Sequence, residues 1–425
     1  MRFTRSSARK IIEVLALFVG SLLLCEAILS TLMAVFPRVR YHLTPSWKRG
    51  CIADPILGHR NSPFMPGHDR WGYRNVDVRH HVEVLALGDS FTYGFGAPPE
   101  GAWPRQVESL SGATVYNGGV GGYGPCEYEV VLDELLKLRP RIVVVGLLLG
   151  NDVADAYEAV AIHGRFPRYA TKNPEVLSEI WRADQRGTLR ELARTAGLED
   201  EEQLYGREVG GLRTWISRHS SLYALARELK DLGDVTLHRG SVPPDSFRAA
   251  MRRPHRIAWE TDPRFRTVFR LLEVENLAID TDDPRIQEGM RITDRVLLSM
   301  RAKVADVGAR MVIALLPNKP RAYASVVDEH NQVCLPPSFF RNVEFERRMT
   351  ARYEAFLEKN GIPFVDTEPA FAKAFLRGIA TFPESDDHHP NVAGYRVIAE
   401  TIVPHLILTE SSESIFKDHS LLDVP

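Results

Sequence analysis

The chain has 425 residues, of which 44% are hydrophobic and 25% charged, and this ordinary globular composition excludes a mostly disordered protein. Its formal net charge of -2 excludes the global basic excess that many nucleic-acid-binding proteins carry. Four cysteines are too few for a scaffold built from disulfide bonds. The length predicts two or three domains, or one large domain with insertions.

The N-terminus predicts a membrane anchor. Basic side chains lie within residues 2–10, and a mostly apolar run follows over 11–36, free of charge from Val14 to Cys25. About 20 mostly apolar residues are enough to span a bilayer, so the run is long enough. Glu26 lies inside it, where a carboxylate is costly.

We interpret residues 11–36 as a single uncleaved anchor. A cleaved signal peptide is the first alternative, although no A-x-A site follows the run. A lipoprotein signal ending at Cys25 is the second, although Leu24 is bulky for such a site. The positive-inside rule places residues 1–10 in the cytoplasm. We therefore predict a single-pass membrane protein whose remaining chain is on the periplasmic, extracytoplasmic side.

Residues 37–81 are rich in Pro, Gly, Arg and His, which predicts an irregular linker and lead-in. Disulfides persist outside the cytoplasm. Cys51, Cys126 and Cys334 can therefore include one disulfide, and the sequence does not identify the pair.

Five short apolar runs predict the strands of a parallel sheet, because they are continuous rather than alternating. The runs are Val82–Leu87, 113–117, Ile142–Leu149, Met311–Leu316 and Ile362–Val365. Helical patterns between them cover Cys126–Leu138, Ile286–Val307 and Phe345–Leu357. This alternation predicts an α/β fold.

The predicted core has two parts, 82–155 and 286–408. Residues 156–285 between them are too long for one crossover connection and have helical pieces near 176–195 and 219–231. We interpret them as an inserted lid or substrate-facing subdomain; a helical elaboration without substrate contact is the alternative. Residues 409–425 are a polar tail.

Four polar or glycine-rich motifs follow predicted strands, where ligands bind in open α/β sheets. They are Gly88-Asp89-Ser90, Asn117 to Gly124, Gly150-Asn151-Asp152, and Asp386 to Asn391. A serine in a tight strand-to-helix turn suits a nucleophile, because its hydroxyl is exposed near free backbone N–H groups.

These four motifs together resemble the SGNH (GDSL-type) hydrolase superfamily over residues 82–155 and about 290–408. The lead-in from Trp71 to Asn75 is similar to membrane-anchored members of that group. The resemblance implies a flavodoxin-like, three-layer SGNH fold with a central parallel sheet of about five strands. To this core the chain would add a large helical insertion and an N-terminal membrane helix.

The resemblance also implies a catalytic triad. Ser90 would be the nucleophile, and His389 its general base and later the acid for the leaving group. The D-x-x-H spacing selects Asp386 to orient His389, and Asp387 is the alternative, because some relatives use the shorter spacing. His388 is the alternative base, although Pro390-Asn391 favours His389.

An oxyanion hole is implied by the same resemblance. The backbone N–H groups of Ser90 and Gly122 and the side-chain amide of Asn151 would donate to the charge that develops on the carbonyl oxygen. The third motif has no residue between Gly150 and Asn151, so its alignment depends on Asn151-Asp152.

Two sequence patterns suggest other ligands, a dinucleotide and a metal ion. Gly119 to Gly124 matches the dinucleotide pattern G-x-G-x-x-G, but no well-placed acidic residue follows the next strand. Asp386 to His389, with Glu384, resembles a metal cluster, but adjacent ligands point apart. We therefore expect neither a metal nor any other cofactor.

The segment from Leu315 to Tyr323 is similar to a P-x-K-x-x-x-Y-type stretch in SGNH-related proteins that act on exopolysaccharide acetylation. That likeness implies that Lys319 binds a substrate carboxylate or the acyl donor; a solvated lysine in a strand-ending loop is the alternative.

The leading functional prediction is a membrane-anchored serine ester hydrolase. It would remove acetyl or short acyl groups from a glycan or a small ester through an acyl-enzyme. An O-acyltransferase of an extracytoplasmic polysaccharide with the same triad is the alternative, and a binding module without turnover is the third class. The expected partners are the ester-bearing substrate and the membrane, through residues 11–36, and not nucleic acid.

Overall fold

The structure is a computed structural model, and it describes residues 5–43, 50–187, 220–226, 229, 246–251, 256–260, 265–270, 273–330 and 335–406. The described residues belong to two compact units. One takes its residues from 1–53, 59–66 and 199–243, and the other from 54–58, 67–198 and 244–425. The predicted tail over 409–425 lies outside the described residues.

Strands and helices are numbered here in chain order. The strands are β1 Cys51–Asp54, β2 Gly58–Asn61, β3 Val84–Gly88, β4 Val115–Asn117, β5 Ile142–Leu148, β6 Arg256–Trp259, β7 Thr267–Arg270, β8 Arg310–Leu316 and β9 Phe364–Asp366. The helices up to the end of the insertion are α1 Arg5–Val35, α2 Pro37–Leu43, α3 Ser90–Tyr93, α4 Trp103–Ser111, α5 Pro125–Leu135, α6 Asp152–Tyr157, α7 Pro174–Asp184, α8 Ser246–Met251 and α9 Glu273–Leu277. The later helices are α10 Pro284–Asp306, α11 Lys319–His330, α12 Pro337–Lys359, α13 Glu368–Leu376 and α14 Val392–Ile402.

A five-stranded parallel sheet is the centre of the larger unit, with the spatial order β4-β3-β5-β8-β9. Val84 of β3 pairs with Val115 on one side and with Ile142 on the other. The strand order therefore reverses next to β3, which is the flavodoxin-like arrangement with a ligand-binding crevice at that point. The predicted α/β fold with a central five-stranded parallel sheet is confirmed.

Both faces of this sheet are covered, which explains why the apolar runs are continuous. Along β5, Val143 and Val145 belong to one hydrophobic cluster, whereas Val144 and Leu148 belong to another. The first cluster includes side chains of α5 and α10, and the second includes side chains of α4 and α14. Because alternate residues of a strand face opposite sides, the sheet is the middle of three layers.

The insertion contributes strands that periodicity did not predict. Strands β6 and β7 form an antiparallel pair, in which Arg256 lies opposite Arg270. Each strand has four residues, too few for a reliable two-residue alternation. The helical description of 156–285 is therefore incomplete, because this region also contains a two-stranded sheet.

Among the described residues, one helix is long and apolar enough to cross a membrane. The apolar part of α1 extends over Ile12–Val35, with a mean hydropathy of 2.3. Its large side chains are exposed, including Leu17 at 72% and Phe18 at 61%. A helix that exposes this much apolar surface requires an apolar environment or a partner.

The carboxylate of Glu26, which interrupts this helix, has hydrogen-bond partners. It accepts from the Ser220 hydroxyl at 2.8 Å and from the backbone N–H groups of Ser221 at 2.5 Å and Leu222 at 3.1 Å. Such hydrogen bonds lower the cost of a carboxylate in an apolar segment.

The expected disulfide is not formed between Cys51 and Cys126, both of which are free thiols. Cys126 is buried in the main core. Cys334 lies outside the described residues.

Candidate active site

Ser90 lies in the turn between β3 and α3. The carboxylate of Asp89 caps the helix by accepting the Phe91 backbone N–H at 2.9 Å. Gly88 has a φ of +154°, and a Cβ there would lie 2.8 Å from the Gly146 carbonyl oxygen, so the position needs glycine. As the first residue of a helix, Ser90 has a backbone N–H without an intrahelical acceptor.

Three side chains form a hydrogen-bonded chain at this turn. His389 Nε2 lies 3.0 Å from Ser90 Oγ, and His389 Nδ1 lies 2.7 Å from Asp387 Oδ1. The imidazole also contacts the rings of Phe91 and Phe95, with centroids 5.5 and 5.4 Å away. The structure therefore places a hydroxyl, an imidazole and a carboxylate in the order required to activate a nucleophile.

The carboxylate next to His389 is Asp387, and this corrects the preference for Asp386. Asp387 Oδ1 also accepts the His389 backbone N–H at 3.0 Å, which is the local turn that Asp forms with a residue two positions later. Asp386 instead accepts Arg256 Nε at 2.6 Å. Burial acts to raise the pKa of Asp387, but the hydrogen bond and charge of His389 outweigh it and hold that pKa below its usual range.

His388, the alternative base, is stacked on His389 with ring centroids 4.3 Å apart, whereas the bond to Ser90 belongs to His389. Asp387, His388 and His389 offer ligand atoms within 4.8 Å of one another, so distance alone would allow a cation. Both ring nitrogens of His389 are already directed at Asp387 and Ser90, which fits proton transfer better than metal ligation.

Asp89 is a second acceptor for the nucleophile. Ser90 Oγ lies 3.3 Å from Asp89 Oδ2, a longer contact than the one to His389. Burial raises the pKa of Asp89, although the N–H of Phe91, the charge of His389 and the Asn151 amide act in the opposite direction. A neutral Asp89 would compete less for the serine proton than an ionised one.

Gly122 lies in the turn after β4 with a φ of +77°. The loop that carries it is tied to α3, because Asn117 Nδ2 donates to Thr92 O at 3.0 Å. A Cβ on Gly119 would lie 2.4 Å from the Tyr93 backbone nitrogen, so this glycine permits the close approach. The structure thus explains the glycine at position 119 by its packing against α3.

Asn151 follows β5, and its side chain lies near that of Asp89. Its Nδ2 donates to Asp155 Oδ2 at 2.8 Å, while its Oδ1 is buried without a partner among the described residues. Asp152 accepts from Tyr128 Oη at 2.7 Å and from Leu148 N at 2.9 Å, which fixes the turn. The contribution of Gly122 and Asn151 to an oxyanion hole stays a prediction.

Lys319 is near the site but buried, with 2% of its surface exposed. Its Nζ donates to backbone carbonyl oxygens of Ser385 at 2.7 Å and Asp387 at 3.0 Å, and of Pro383 and Val268 at 3.2 Å. Burial lowers its pKa to about 7, and Asp387 and Asp386 oppose that shift. These contacts leave the ammonium poorly placed to bind a substrate carboxylate.

Two residues of the lead-in support the site, a role that the sequence did not predict. Arg74 donates to the carbonyl oxygens of Tyr93 at 3.1 Å and Gly94 at 2.6 Å, at the carboxyl end of α3. Asn75 Nδ2 donates to Asn117 O at 3.0 Å, and Asn75 Oδ1 accepts Asn117 N at 2.9 Å. The only sequence signal was the lead-in's likeness to anchored SGNH proteins.

No family model and no curated protein matches the chain. Among solved structures, it is similar to a protein from Desulfitobacterium hafniense DCB-2 assigned to the lipolytic G-D-S-L family. That match has 12% identity and a TM-score of 0.32, and covers 77% of this chain and 100% of that one. It is also similar to a protein from Bacteroides fragilis NCTC 9343 assigned as an acylhydrolase, with 14% identity, a TM-score of 0.28, and 76% and 85% covered. Likenesses this distant carry no argument about function.

Proposed function

We propose that the protein is a membrane-anchored serine ester hydrolase of the SGNH type. It removes acetyl or short acyl groups from a glycan or a small ester. The observation that carries this proposal is the hydrogen-bonded chain from Ser90 through His389 to Asp387 at the carboxyl end of β3.

In the first step, Ser90 Oγ attacks the ester carbonyl carbon while its proton passes to His389 Nε2. The imidazolium formed is stabilised by the Asp387 carboxylate, which keeps Nδ1 protonated and the ring oriented. His389 then returns the proton to the departing alcohol oxygen, leaving an acyl group on Ser90. Water, deprotonated by His389, attacks that acyl group. The bond to Ser90 Oγ breaks, His389 returns the proton to Oγ, and the acid leaves.

The tetrahedral oxyanion needs preorganised donors. We assign this role to the backbone N–H groups of Ser90 and Gly122 and to the Asn151 amide. Asn151 Nδ2 carries two N–H groups, of which the contact to Asp155 uses one. The amide also acts on the Asp89 carboxylate, so one N–H must turn from its present partner to the oxyanion when substrate binds.

Hydrolysis is preferred over acyl transfer. The likeness to proteins that act on exopolysaccharide acetylation implied Lys319 as a ligand of the substrate or the acyl donor. Its burial and its four carbonyl contacts remove that support.

We assign α1 as the anchor, with the catalytic unit on the periplasmic side, where the substrate is an extracytoplasmic ester.

The test is labelling of the full-length protein in detergent with a serine-reactive fluorophosphonate, followed by mapping of the modified peptide. We expect Ser90 to be labelled, and His389→Ala to abolish the labelling. His405→Ala is the matched control, because His405 is exposed on the surface. No labelling of folded wild-type protein would contradict an activated Ser90.

A second measurement separates the two reaction classes. The protein is incubated with an acetylated glycan alone, and with an acyl donor plus the unmodified glycan, and the product masses are recorded. Release of acetate from the first mixture supports hydrolysis. Acylated glycan from the second, with no release in the first, would favour the transferase.

A further inference from the structure

The segment that carries the acid and base, residues 383–389, is called here the acid–base loop. It lies between α13 and α14 and has no regular secondary structure. Asp387 and His389 therefore owe their positions to contacts made by this loop with the rest of the fold. An unsupported loop would leave the imidazole free to move, and a misplacement of about 1 Å costs on the order of 10²-fold in rate.

Lys319 provides a concentrated set of such contacts. Three of the four carbonyl oxygens around its Nζ belong to the loop, namely those of Pro383, Ser385 and Asp387. An ammonium has three N–H donors and no acceptor, so with four carbonyl partners two of the oxygens share one N–H. Without it, the converging carbonyl oxygens would lose their ammonium donor, which is unfavourable, although the oxygen of Pro383 also accepts from Thr267 Oγ1.

The fourth oxygen links the loop to the insertion. It is the carbonyl oxygen of Val268, in the middle of β7. The β6–β7 pair, and Arg266 directly before β7, make other contacts with the same loop. They are Arg256 Nε to Asp386 Oδ2 at 2.6 Å, Arg266 Nε to Glu384 Oε2 at 2.7 Å, and Thr267 Oγ1 to Pro383 O at 3.0 Å. Lys319 thus connects three segments: the start of α11, the inserted strands and the acid–base loop.

Asp387 is hydrogen-bonded through both its backbone and its side chain. Its carbonyl oxygen accepts from Lys319 at 3.0 Å, and its carboxylate accepts from His389 at 2.7 Å. The backbone position set at one side of the residue therefore determines where the carboxylate lies at the other. We propose that Lys319 is a positioning residue that acts through Asp387 to hold His389 in line with Ser90. This role rests on the proposed function.

The test uses the full-length protein in detergent and compares Lys319→Met with wild type. Met has a similar length but no donor, so the carbonyl oxygens lose their partner. We expect kcat for a small ester and the rate of fluorophosphonate labelling at Ser90 to fall about 10²-fold. KM should change less than about threefold, because Lys319 is buried and does not touch substrate.

The matched control is Glu129→Gln. Glu129 is another buried charged residue with several partners, and accepts from Ser299 Oγ at 2.6 Å and Tyr169 Oη at 2.5 Å. The Glu129→Gln substitution should lower the Tm of the protein and leave the kcat of the folded protein unchanged. If Lys319→Met does not fold, Lys319→Gln, which keeps two N–H donors, replaces it.

A double-mutant cycle separates positioning through Asp387 from a general structural role. In the Asp387→Asn background, Lys319→Met should lower kcat by less than about threefold further, because the group that it positions no longer functions. The proposal would be overturned if Lys319→Met lowered kcat by the same factor in both backgrounds. It would also be overturned if Lys319→Met left kcat unchanged in the wild-type background. Failure of wild-type Ser90 to label would overturn the proposed function itself, and this proposal with it.

Discussion

One oxygen of Asp387 accepts two hydrogen bonds from His389: Nδ1 of the ring at 2.7 Å and the backbone N–H at 3.0 Å. The backbone bond fixes the direction of the carboxylate, and the carboxylate fixes the direction of the ring. The tautomer with a proton on Nδ1 is favoured, because this nitrogen must then donate. Nε2 is left as the acceptor for the Ser90 proton.

Asp387→Asn should lower kcat about 10⁴-fold, because an amide can hold the imidazole in the wrong tautomer and cannot stabilise the imidazolium. Asp386→Asn is the matched change. Its partner is Arg256 and not His389, so we expect a loss below about tenfold, which is about 1.4 kcal/mol of activation free energy. Steady-state kinetics with a chromogenic ester measures both. Equal losses from the two changes would contradict the assignment of Asp387.

Asn151→Ala should lower kcat by about 10²–10³-fold if its amide donates to the oxyanion. The control is Asn173→Ala, since Asn173 caps α7 by accepting the Glu175 N–H and lies on another helix. Single-turnover acylation rates are measured for both variants. An Asn151→Ala rate near that of wild type would assign its amide to the contact with Asp155 alone.

Glu346→Gln should change the pH dependence of stability. Glu346 is fully buried, Asn318 N donates to one of its oxygens at 2.9 Å, and burial raises its pKa to about 7. The folded state therefore holds a proton that the unfolded state releases near pH 4.5. The wild-type carboxyl contributes most stability below pH 4.5, and this contribution is lost as the pH rises towards 7.

The expected loss for wild type is on the order of 3 kcal/mol between these pH values, since each pKa unit corresponds to about 1.4 kcal/mol. In Glu346→Gln this part of the pH dependence should be absent. Urea unfolding at pH 4.5 and pH 8 measures the difference, with Glu100→Gln, at the surface, as the control. A parallel pH dependence in wild type and Glu346→Gln would show that Glu346 ionises normally.

Leu22→Lys combined with Leu23→Lys should release the protein from membranes. A lysine at the centre of a span costs about 2.5–3.5 kcal/mol, and both residues lie in the apolar part of α1. Leu177→Lys, on the exposed side of α7, should leave membrane association unchanged. The fraction that sediments with membranes after an alkaline carbonate wash is measured. Retention of the double variant would contradict the anchor.

Much of the fold could be predicted because the signals are local. The run predicted over Ile142–Leu149 is β5 at Ile142–Leu148, and Met311–Leu316 is the core of β8. A continuous apolar run bounded by Gly or Pro, as by Gly150 and Pro317 here, indicates a buried strand without knowledge of its neighbours. The sequence did not predict the inserted β6–β7 pair, because short strands are stabilised by contacts that are distant in sequence.

The sequence by itself determined the five strands, the motifs at their carboxyl ends, and Ser90 and His389 as the reacting pair to be tested. Only the tertiary structure shows that Asp387, and not Asp386, is hydrogen-bonded to His389. Adjacent side chains on a loop point in different directions. The Asp386 carboxylate is hydrogen-bonded to Arg256, 130 positions away in the sequence. The same reason applies to Lys319. Its type is visible in the sequence, but the carbonyl oxygens that surround it come from segments that only folding brings together.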